Sequence, residues 1–114
     1  MTKTASGSSA DAIRVLNDNF RSTFVGGRVL MTASVNALPV DTPARVLLAG
    51  QSFDKFTADN DPHREHDFGS FEIEGETYFF KIDYYALDMA GGSEDPADPE
   101  KTVRVLTIMR ADEY

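Results

Sequence analysis

The sequence contains no cysteine and no tryptophan among its 114 residues. Without cysteine, no disulfide stabilises the fold and no thiolate binds a metal or attacks a substrate. The chain also lacks any apolar run near the ~20 residues that a membrane helix needs. Its first residues contain no apolar signal-peptide core. These absences exclude disulfide scaffolds and thiolate chemistry, and they predict a soluble cytoplasmic protein that does not interact with a membrane.

Positive charge is scarce as well. The chain has 11 Lys and Arg against 19 Asp and Glu, a net charge of −8. The excess lies in residues 61–114, which contain five Lys/Arg and fourteen Asp/Glu, whereas residues 1–60 contain six and five. Because no Lys/Arg cluster exists, direct binding to nucleic acid is not expected. An acidic surface fits a basic protein partner, a metal ion or plain solubility.

The remaining composition is typical of one globular domain, with 41% hydrophobic and 26% charged residues. Small polar residues predict a flexible tail over 1–9, followed by a single domain over 10–114. Hydrophobic periodicity predicts its elements in the order α-β-α-β-β-β. This order predicts an α+β two-layer sandwich, an antiparallel sheet of about four strands covered by two helices. The predicted elements are helices over 10–24 and from 41 onwards, and strands over 28–35, 68–73, 76–85 and 103–110. The predicted buried face of the second helix consists of Val46, Gly50, Phe53 and Phe56.

The polar loop over 57–67 contains both histidines of the chain. His63, His66 and Asp67 would supply ligands for a metal-dependent enzyme, or His66 would pair with a neighbouring carboxylate for acid–base chemistry. However, Pro62 removes helical spacing, and no third histidine is present. In the interpretation we favour, Asp59, Asn60 and Asp67 bond backbone amides and fix the turn. We therefore predict no metal, no cofactor and no catalytic residue in this loop.

Aromatic residues alternate along the predicted strand over 76–85. Tyr78, Phe80, Ile82 and Tyr84 share one face, and Phe79 lies on the opposite face. A second apolar face on a small sheet predicts a protein partner or a homodimer. The alternative is that Phe79 packs under the loop over 86–101.

Carboxylates cluster in that loop and in the preceding hairpin. Proline stiffens the loop, so its carboxylates are expected to project into water and, with the hairpin, to form one broad negative surface. Such a surface would imitate phosphates for a nucleic-acid-binding protein, because charge matching speeds encounter and fixes orientation. The alternative is an ordinary solvated loop. The predicted partner-binding residues are Glu72, Glu74, Glu76, Glu94, Asp95, Asp98 and Glu100, together with Phe79.

Six segments of the sequence form a recognisable set: Leu16–Phe20, Gly26–Val29, Asn60–Gly69, Lys81–Tyr85, Gly92–Pro99 and Arg104–Met109. Together they resemble the uncharacterised family known as domain of unknown function 3768. The resemblance implies a small protein of mobile genetic elements, mostly alphaproteobacterial, and it implies no catalytic residues. Arg64 stands where the family pattern leads us to expect glycine, so a special turn is not predicted there.

Charge and this setting together predict a non-enzymatic binding protein. Small acidic accessory proteins of mobile elements often inhibit host defence, so the expected partner is a basic component of a restriction or CRISPR complex. Two alternatives stay open: the metal-dependent enzyme centred on His63, His66 and Asp67, and an accessory protein whose partner is unrelated to defence.

Overall fold

A computed structural model describes residues 5–114, and side chains from Ser9 onwards. It shows a four-stranded sheet with helices on one face. None of the helices in this part of the chain is long and apolar enough to cross a membrane. The elements are α1 (Ala5–Thr23), β1 (Gly27–Met31), α2 (Ala33–Asn36), α3 (Thr42–Ser52), β2 (Phe68–Ile73), β3 (Glu76–Tyr85), β4 (Val103–Arg110) and a final 3-10 turn (Ala111–Glu113).

The strands lie in the order β1-β4-β3-β2. β3 is antiparallel to both neighbours, with Phe80 opposite Gly69 on β2 and Ile108 on β4. The predicted α+β class and the four strands are therefore confirmed. β1 runs parallel to β4, so the sheet is mixed rather than antiparallel throughout. The expectation failed at β1 because that strand is joined to the sheet through helices, and only a tight hairpin enforces antiparallel pairing.

The hydrophobic core lies between the sheet and the helices. Phe20 from α1, Val35 from α2 and Val46 from α3 meet Phe80 and Ile108 from the central strands, and none of the five is more than 1% exposed. Burial of each such side chain stabilises the fold by about 1.5–3 kcal/mol. The alternation predicted for β3 is correct, since Tyr78, Phe80 and Ile82 are all buried.

Two helix boundaries differ from the prediction. α1 begins at Ala5, five residues before the predicted start, so residues 5–9 are helical rather than part of a tail. Residues 1–4 lie outside the described part of the chain, and their flexibility stays a prediction. α3 ends at Ser52, whereas the predicted buried face included Phe53 and Phe56. These two rings still pack on the core, in edge-to-face contact with each other at 4.9 Å.

The predicted strand over 28–35 is too long. β1 ends at Met31, and the amide of Thr32 makes a last bond, to the carbonyl of Ile108, at 3.1 Å. The chain then turns into α2, which places Val35 in the core. Residues four apart lie on one face of a helix, and Met31 and Val35 are four apart. The apolar spacing over 28–35 therefore changes from the strand period to the helix period at its end.

Gly27 lies close to both α1 and β4. A Cβ added there would lie 2.5 Å from the Arg104 carbonyl oxygen and 2.7 Å from the Phe20 ring. We predict that Gly27→Ala lowers the free energy of unfolding by about 1–3 kcal/mol, because the backbone must move to admit the methyl group. Gly91→Ala is the control, since nothing lies within 4 Å of its added Cβ. Urea unfolding of both variants tests this, and equal stability would contradict it.

Candidate functional site

The loop over 57–67 carries His66 to the side of α1. Its Nδ1 lies 2.8 Å from Oδ1 of Asp18, and its Nε2 lies 3.6 Å from Oδ2 of Asp61. The imidazole stacks on Phe56, with ring centroids 3.7 Å apart and planes within 4° of parallel. His66 is therefore fixed on one ring face and held between two carboxylates, one from a helix and one from its own loop. We call Asp18, Asp61, His66 and Phe56 the His66 cluster.

Asp61 fixes the shape of this loop. Its buried carboxylate accepts the backbone amides of Glu65 and His66 at 3.2 Å. Asn60 also acts as predicted, because its Oδ1 accepts the amide of Thr57 at 2.8 Å. The prediction is therefore correct for Asn60, and Asp61 is a turn-fixing carboxylate that the sequence did not predict.

The loop contains two residues in the left-handed region, Arg64 (φ 60°) and His66 (φ 57°). This backbone region favours glycine, and among the other residues Asn, Asp and His adopt it most often. The special turn at Arg64 is therefore present although the residue is not glycine. Hydrogen bonds from the backbone amides of Glu65 and His66 to the Asp61 carboxylate hold this turn in place.

Arg21 supports the cluster from the core side. It is 5% exposed, and its Nη1 donates to Oδ1 of Asp18 at 3.1 Å while Nη2 donates to the carbonyl of Phe53 at 3.2 Å. Its guanidinium also lies 5.2 Å from the centre of the Phe56 ring. Asp18 therefore receives a cation on one side and an imidazole on the other, which fixes its orientation.

A cleft of about 410 Å³ opens beside the His66 cluster. Arg14 and Arg64 line it together with Thr57, and the Arg14 guanidinium donates to the Arg64 carbonyl at 3.2 Å. An imidazole oriented by a carboxylate at the wall of a cleft is able to act as a general acid or base. That is the chemistry this cleft offers to a small polar molecule.

The residues considered for a metal do not form a metal site. His63 is exposed, and His66 faces Asp18 and Asp61 rather than His63 and Asp67. Among residues 5–114, no group of three His, Cys, Asp or Glu side chains is arranged to hold a metal ion.

A second polar network is buried next to the first, around Asn17. Its Nδ2 donates to the Glu65 carbonyl at 2.9 Å and to the Tyr84 hydroxyl at 2.8 Å, and its Oδ1 accepts from Nε of Arg104 at 2.8 Å. The Tyr84 hydroxyl donates in turn to Oε1 of Glu65 at 2.8 Å. Arg104 also binds the Pro96 carbonyl and lies 5.2 Å over the Tyr84 ring. This network joins α1, the loop and both central strands.

Burial shifts the pKa values of this region. Desolvation raises the pKa of Tyr84 strongly, and its bond to Glu65 adds to that rise. Desolvation lowers the pKa of Arg104, which is 3% exposed and has no carboxylate within 4 Å among the described residues. Burial also raises the pKa of Asp67, and the charge of Glu65 adds to that rise. The interior therefore disfavours charge, and Arg104 is held by neutral oxygens and an aromatic ring.

The predicted acidic residues form two groups at opposite ends of the sheet. The hairpin group (Glu72, Glu74 and Glu76) lies where β3 begins, and the loop group (Glu94, Asp95, Asp98 and Glu100) follows the end of β3. The ten-residue strand β3 spans the distance between the two groups, and its length corresponds to about 30 Å. The two groups therefore do not form the single broad surface we expected.

The loop over 86–101 is tied to the sheet rather than projecting freely. Thr102 Oγ1 donates to the Asp95 carbonyl at 2.9 Å, and the amide of Ser93 bonds the Tyr84 carbonyl at 3.0 Å. Asp95 and Asp98 accept the amides of Ala97 and Glu100 at 3.3 and 2.9 Å. Two of the four carboxylates therefore stabilise turns, while Glu94 and Glu100 are exposed.

Phe79 has a different cover from the one predicted. On the face opposite the helices it contacts Phe68 and Tyr114, with ring centroids 5.0 and 5.5 Å apart. Tyr114 itself is 74% exposed. The loop over 86–101 does not cover Phe79, because the bonds of that loop lie at the other end of β3.

A family model described as protein of unknown function (DUF3768) matches residues 31–113. The chain belongs to this family. That result confirms the resemblance carried by the loop, the hairpin and β4. Neither the curated proteins nor the solved structures yield a significant match.

Four residues that organise the site were not predicted from the sequence: Asn17, Asp18, Arg21 and Arg104. A signal was present for Asn17, which lies four residues after Ile13 and three before Phe20 on the apolar stripe of α1. A polar residue on a buried stripe needs hydrogen-bond partners. Asp18 and Arg21 gave no such signal, because charged pairs on a helix are usually solvated.

The Asn17 network generates a stability prediction. Asn17→Ala leaves Arg104 Nε and the Glu65 carbonyl without their partner, so it should lower the free energy of unfolding by about 2 kcal/mol or more. Asn19→Ala, on the exposed face of the same helix, should change it by less than about 0.5 kcal/mol. Chemical denaturation measures both. A native-like stability for Asn17→Ala would show that the network contributes little.

Asp67 generates a pH prediction. Because its pKa is raised in the fold, the folded state binds more protons than the unfolded chain above the ordinary aspartate pKa of about 4. Stability from this group is therefore present at low pH and lost as pH rises through the folded pKa. The free energy of unfolding of Asp67→Asn minus that of the native chain should rise with pH between the ordinary aspartate pKa and the raised pKa of Asp67, and then level off. Thermal melts across pH, with the exposed Asp59→Asn as control, measure it, and a flat difference would refute it.

Proposed function

We propose that this protein is a non-enzymatic inhibitor that binds a basic, nucleic-acid-handling protein through exposed carboxylates. The partner is a component of a restriction or CRISPR complex, and the interaction takes place in the cytoplasm. The proposal rests on the negative excess of residues 61–114. One structural observation supports it: the fold buries one cation of that segment and places three others beside carboxylates.

Four of the five cations in residues 61–114 are engaged. Arg104 is buried, Lys81 pairs with Asp83 at 2.9 Å, Lys101 with Glu94 at 3.9 Å, and Arg110 with Glu76 at 2.8 Å. Of these five cations, Arg64 alone is both exposed and outside any ion pair with another described residue. Fourteen carboxylates in the same segment therefore outnumber the cations that are exposed to a partner.

The exposed ion pairs do not remove this negative surface. Arg45 contacts Glu74 across the gap between α3 and the hairpin, but both side chains are more than half exposed. Exposed pairs of this kind contribute about 0–1 kcal/mol and exchange readily with other partners. A basic protein would therefore meet carboxylates that can rearrange towards it.

The second candidate is an enzyme, and the cleft at the His66 cluster favours it. The arrangement offers acid–base chemistry by His66 without a metal, in place of the three-ligand site considered from the sequence. The cluster itself contains no hydroxyl, thiol or amine that His66 could activate as a nucleophile, which is why the binding function is preferred.

Charge variants separate the two candidates. Replacing Glu94, Asp95, Asp98 and Glu100 together by Gln or Asn should slow association with the partner by about tenfold and flatten its salt dependence, because steering depends on complementary charge. Asn keeps the turn-forming side-chain bonds of Asp95 and Asp98, so the fold should persist. The matching hairpin variant replaces Glu72, Glu74 and Glu76 by Gln.

The partner is obtained by pull-down from a host that carries restriction and CRISPR systems, and a plasmid-protection assay gives the functional readout. His63→Gln, at an exposed position, is the control. If a folded His66→Gln variant loses activity while both charge variants keep it, the enzyme candidate replaces the inhibitor.

A further inference from the structure

We propose that the outer edge of β2 binds an extended, basic segment of the partner as an additional antiparallel strand. This inference rests on the proposed function and names the way in which the hairpin end of the molecule engages its partner. Three backbone positions of β2, the groove beside that strand and the charge of Glu72 together specify the occupant.

β2 lies at the edge of the sheet, and its free backbone groups follow from its register. The amide of Ile82 bonds the carbonyl of Asp67 at 2.8 Å, so the pair Asp67–Ile82 is hydrogen-bonded. Hydrogen-bonded and non-hydrogen-bonded pairs alternate along an antiparallel ladder. The amides and carbonyls of Phe68, Ser70 and Glu72 therefore point away from β3, where no backbone bond within the described chain occupies them.

A groove of about 460 Å³ runs beside this edge on the helix side of the sheet. Phe53 and Phe71 form its apolar part, and Asp54 and Lys55 also line it. A strand added to β2 projects alternate side chains to the two sides of the sheet. Side chains opposite Gly69 and Phe71 would enter this groove, so apolar residues fit at those positions.

The other face of the added strand meets a different environment. Residues opposite Phe68, Ser70 and Glu72 project to the face away from the helices. Glu72 is exposed there and pairs with no cation among the described residues, and the aromatic ring of Phe68 lies at the opposite end of the edge. A carboxylate and an aromatic face both attract Lys or Arg. The fitting occupant therefore alternates basic and apolar residues.

Charge also decides between the two edges and between two occupants. The other edge strand, β1, carries Arg28 and no carboxylate, whereas β2 carries Glu72 and no cation. A second copy of this chain would place Glu72 and its neighbouring hairpin carboxylates beside another acidic surface with a net charge of −8. The hairpin end of the molecule therefore fits a basic strand better than it fits itself.

The test uses the full chain and a capped peptide probe, Lys-Val-Lys-Val-Lys. Bound antiparallel, its lysine amides point to β2 and its valine amides point away. Methylating the lysine amides should weaken binding at least about tenfold, because the pairing bonds are lost, whereas methylating the valine amides should change it little. All three peptides carry the same charge. Amide NMR shifts on titration should centre on Phe68, Ser70 and Glu72.

A pair of protein variants gives an independent readout. Ser70→Pro removes an outward amide that makes no ladder bond, so the sheet should persist while peptide binding is lost. Ser70→Ala keeps the amide and should bind normally. Equal affinity of the differently methylated peptides, or shifts centred on residues 94–100, would overturn the proposal. So would a native dimer that Ser70→Pro converts to monomer, because a second copy would then occupy the edge.

Strand addition at β2 and the proposed inhibitor function can be refuted separately. If Ser70→Pro keeps its partner in the pull-down while the hairpin charge variant loses it, the edge inference is wrong and the acidic inhibitor stands. If both charge variants keep full binding and plasmid protection, the acidic inhibitor itself is wrong.

Discussion

The side-chain amide of Asn17 makes the hydrogen bonds on which the buried polar network of this structure depends. It is fully buried, and its three hydrogen bonds reach the loop over 57–67, β3 and β4. A small domain without disulfides must fix its long loops by other means. Here one amide on α1 joins three segments that are far apart in the sequence, and the His66 cluster is built on the loop that it holds.

Arg104 shows the consequence of that arrangement. A buried guanidinium normally requires a carboxylate, because an unpaired buried charge is costly. In this protein Asn17 and the Pro96 carbonyl supply oxygens, and the Tyr84 ring lies under the cation. Residues 61–114 therefore have one cation fewer at the surface, and no carboxylate is buried with it as an ion-pair partner. The surface becomes more acidic than the composition alone requires.

The sequence predicted what depends on local periodicity, and it failed where distant segments meet. The hairpin with its turn, the alternation on β3 and the apolar stripe of α1 follow from spacing, and the structure contains them. The parallel pairing of β1 depends on where the chain returns after two helices, which no local pattern encodes. The His66 cluster failed for the same reason, since Asp18 and His66 are 48 residues apart and meet only in the folded chain. Phe79 was recognised as unusual, but its cover by Tyr114 depends on the path of the last three residues.

The separation of the two acidic groups constrains any partner. They lie about 30 Å apart along β3, whereas charges in physiological salt are screened over about 8 Å. The hairpin group and the loop group therefore act as independent surfaces. They also differ in rigidity: two carboxylates of the loop group are held in turns, whereas Glu72 lies on a strand with an open edge. A partner that contacts both groups must extend along the whole sheet, and a smaller partner must choose one end. At the hairpin end the open edge of β2 lies beside Glu72, so that end combines charge with backbone groups that can pair. The loop group lies on no strand, so it offers charge without a backbone ladder.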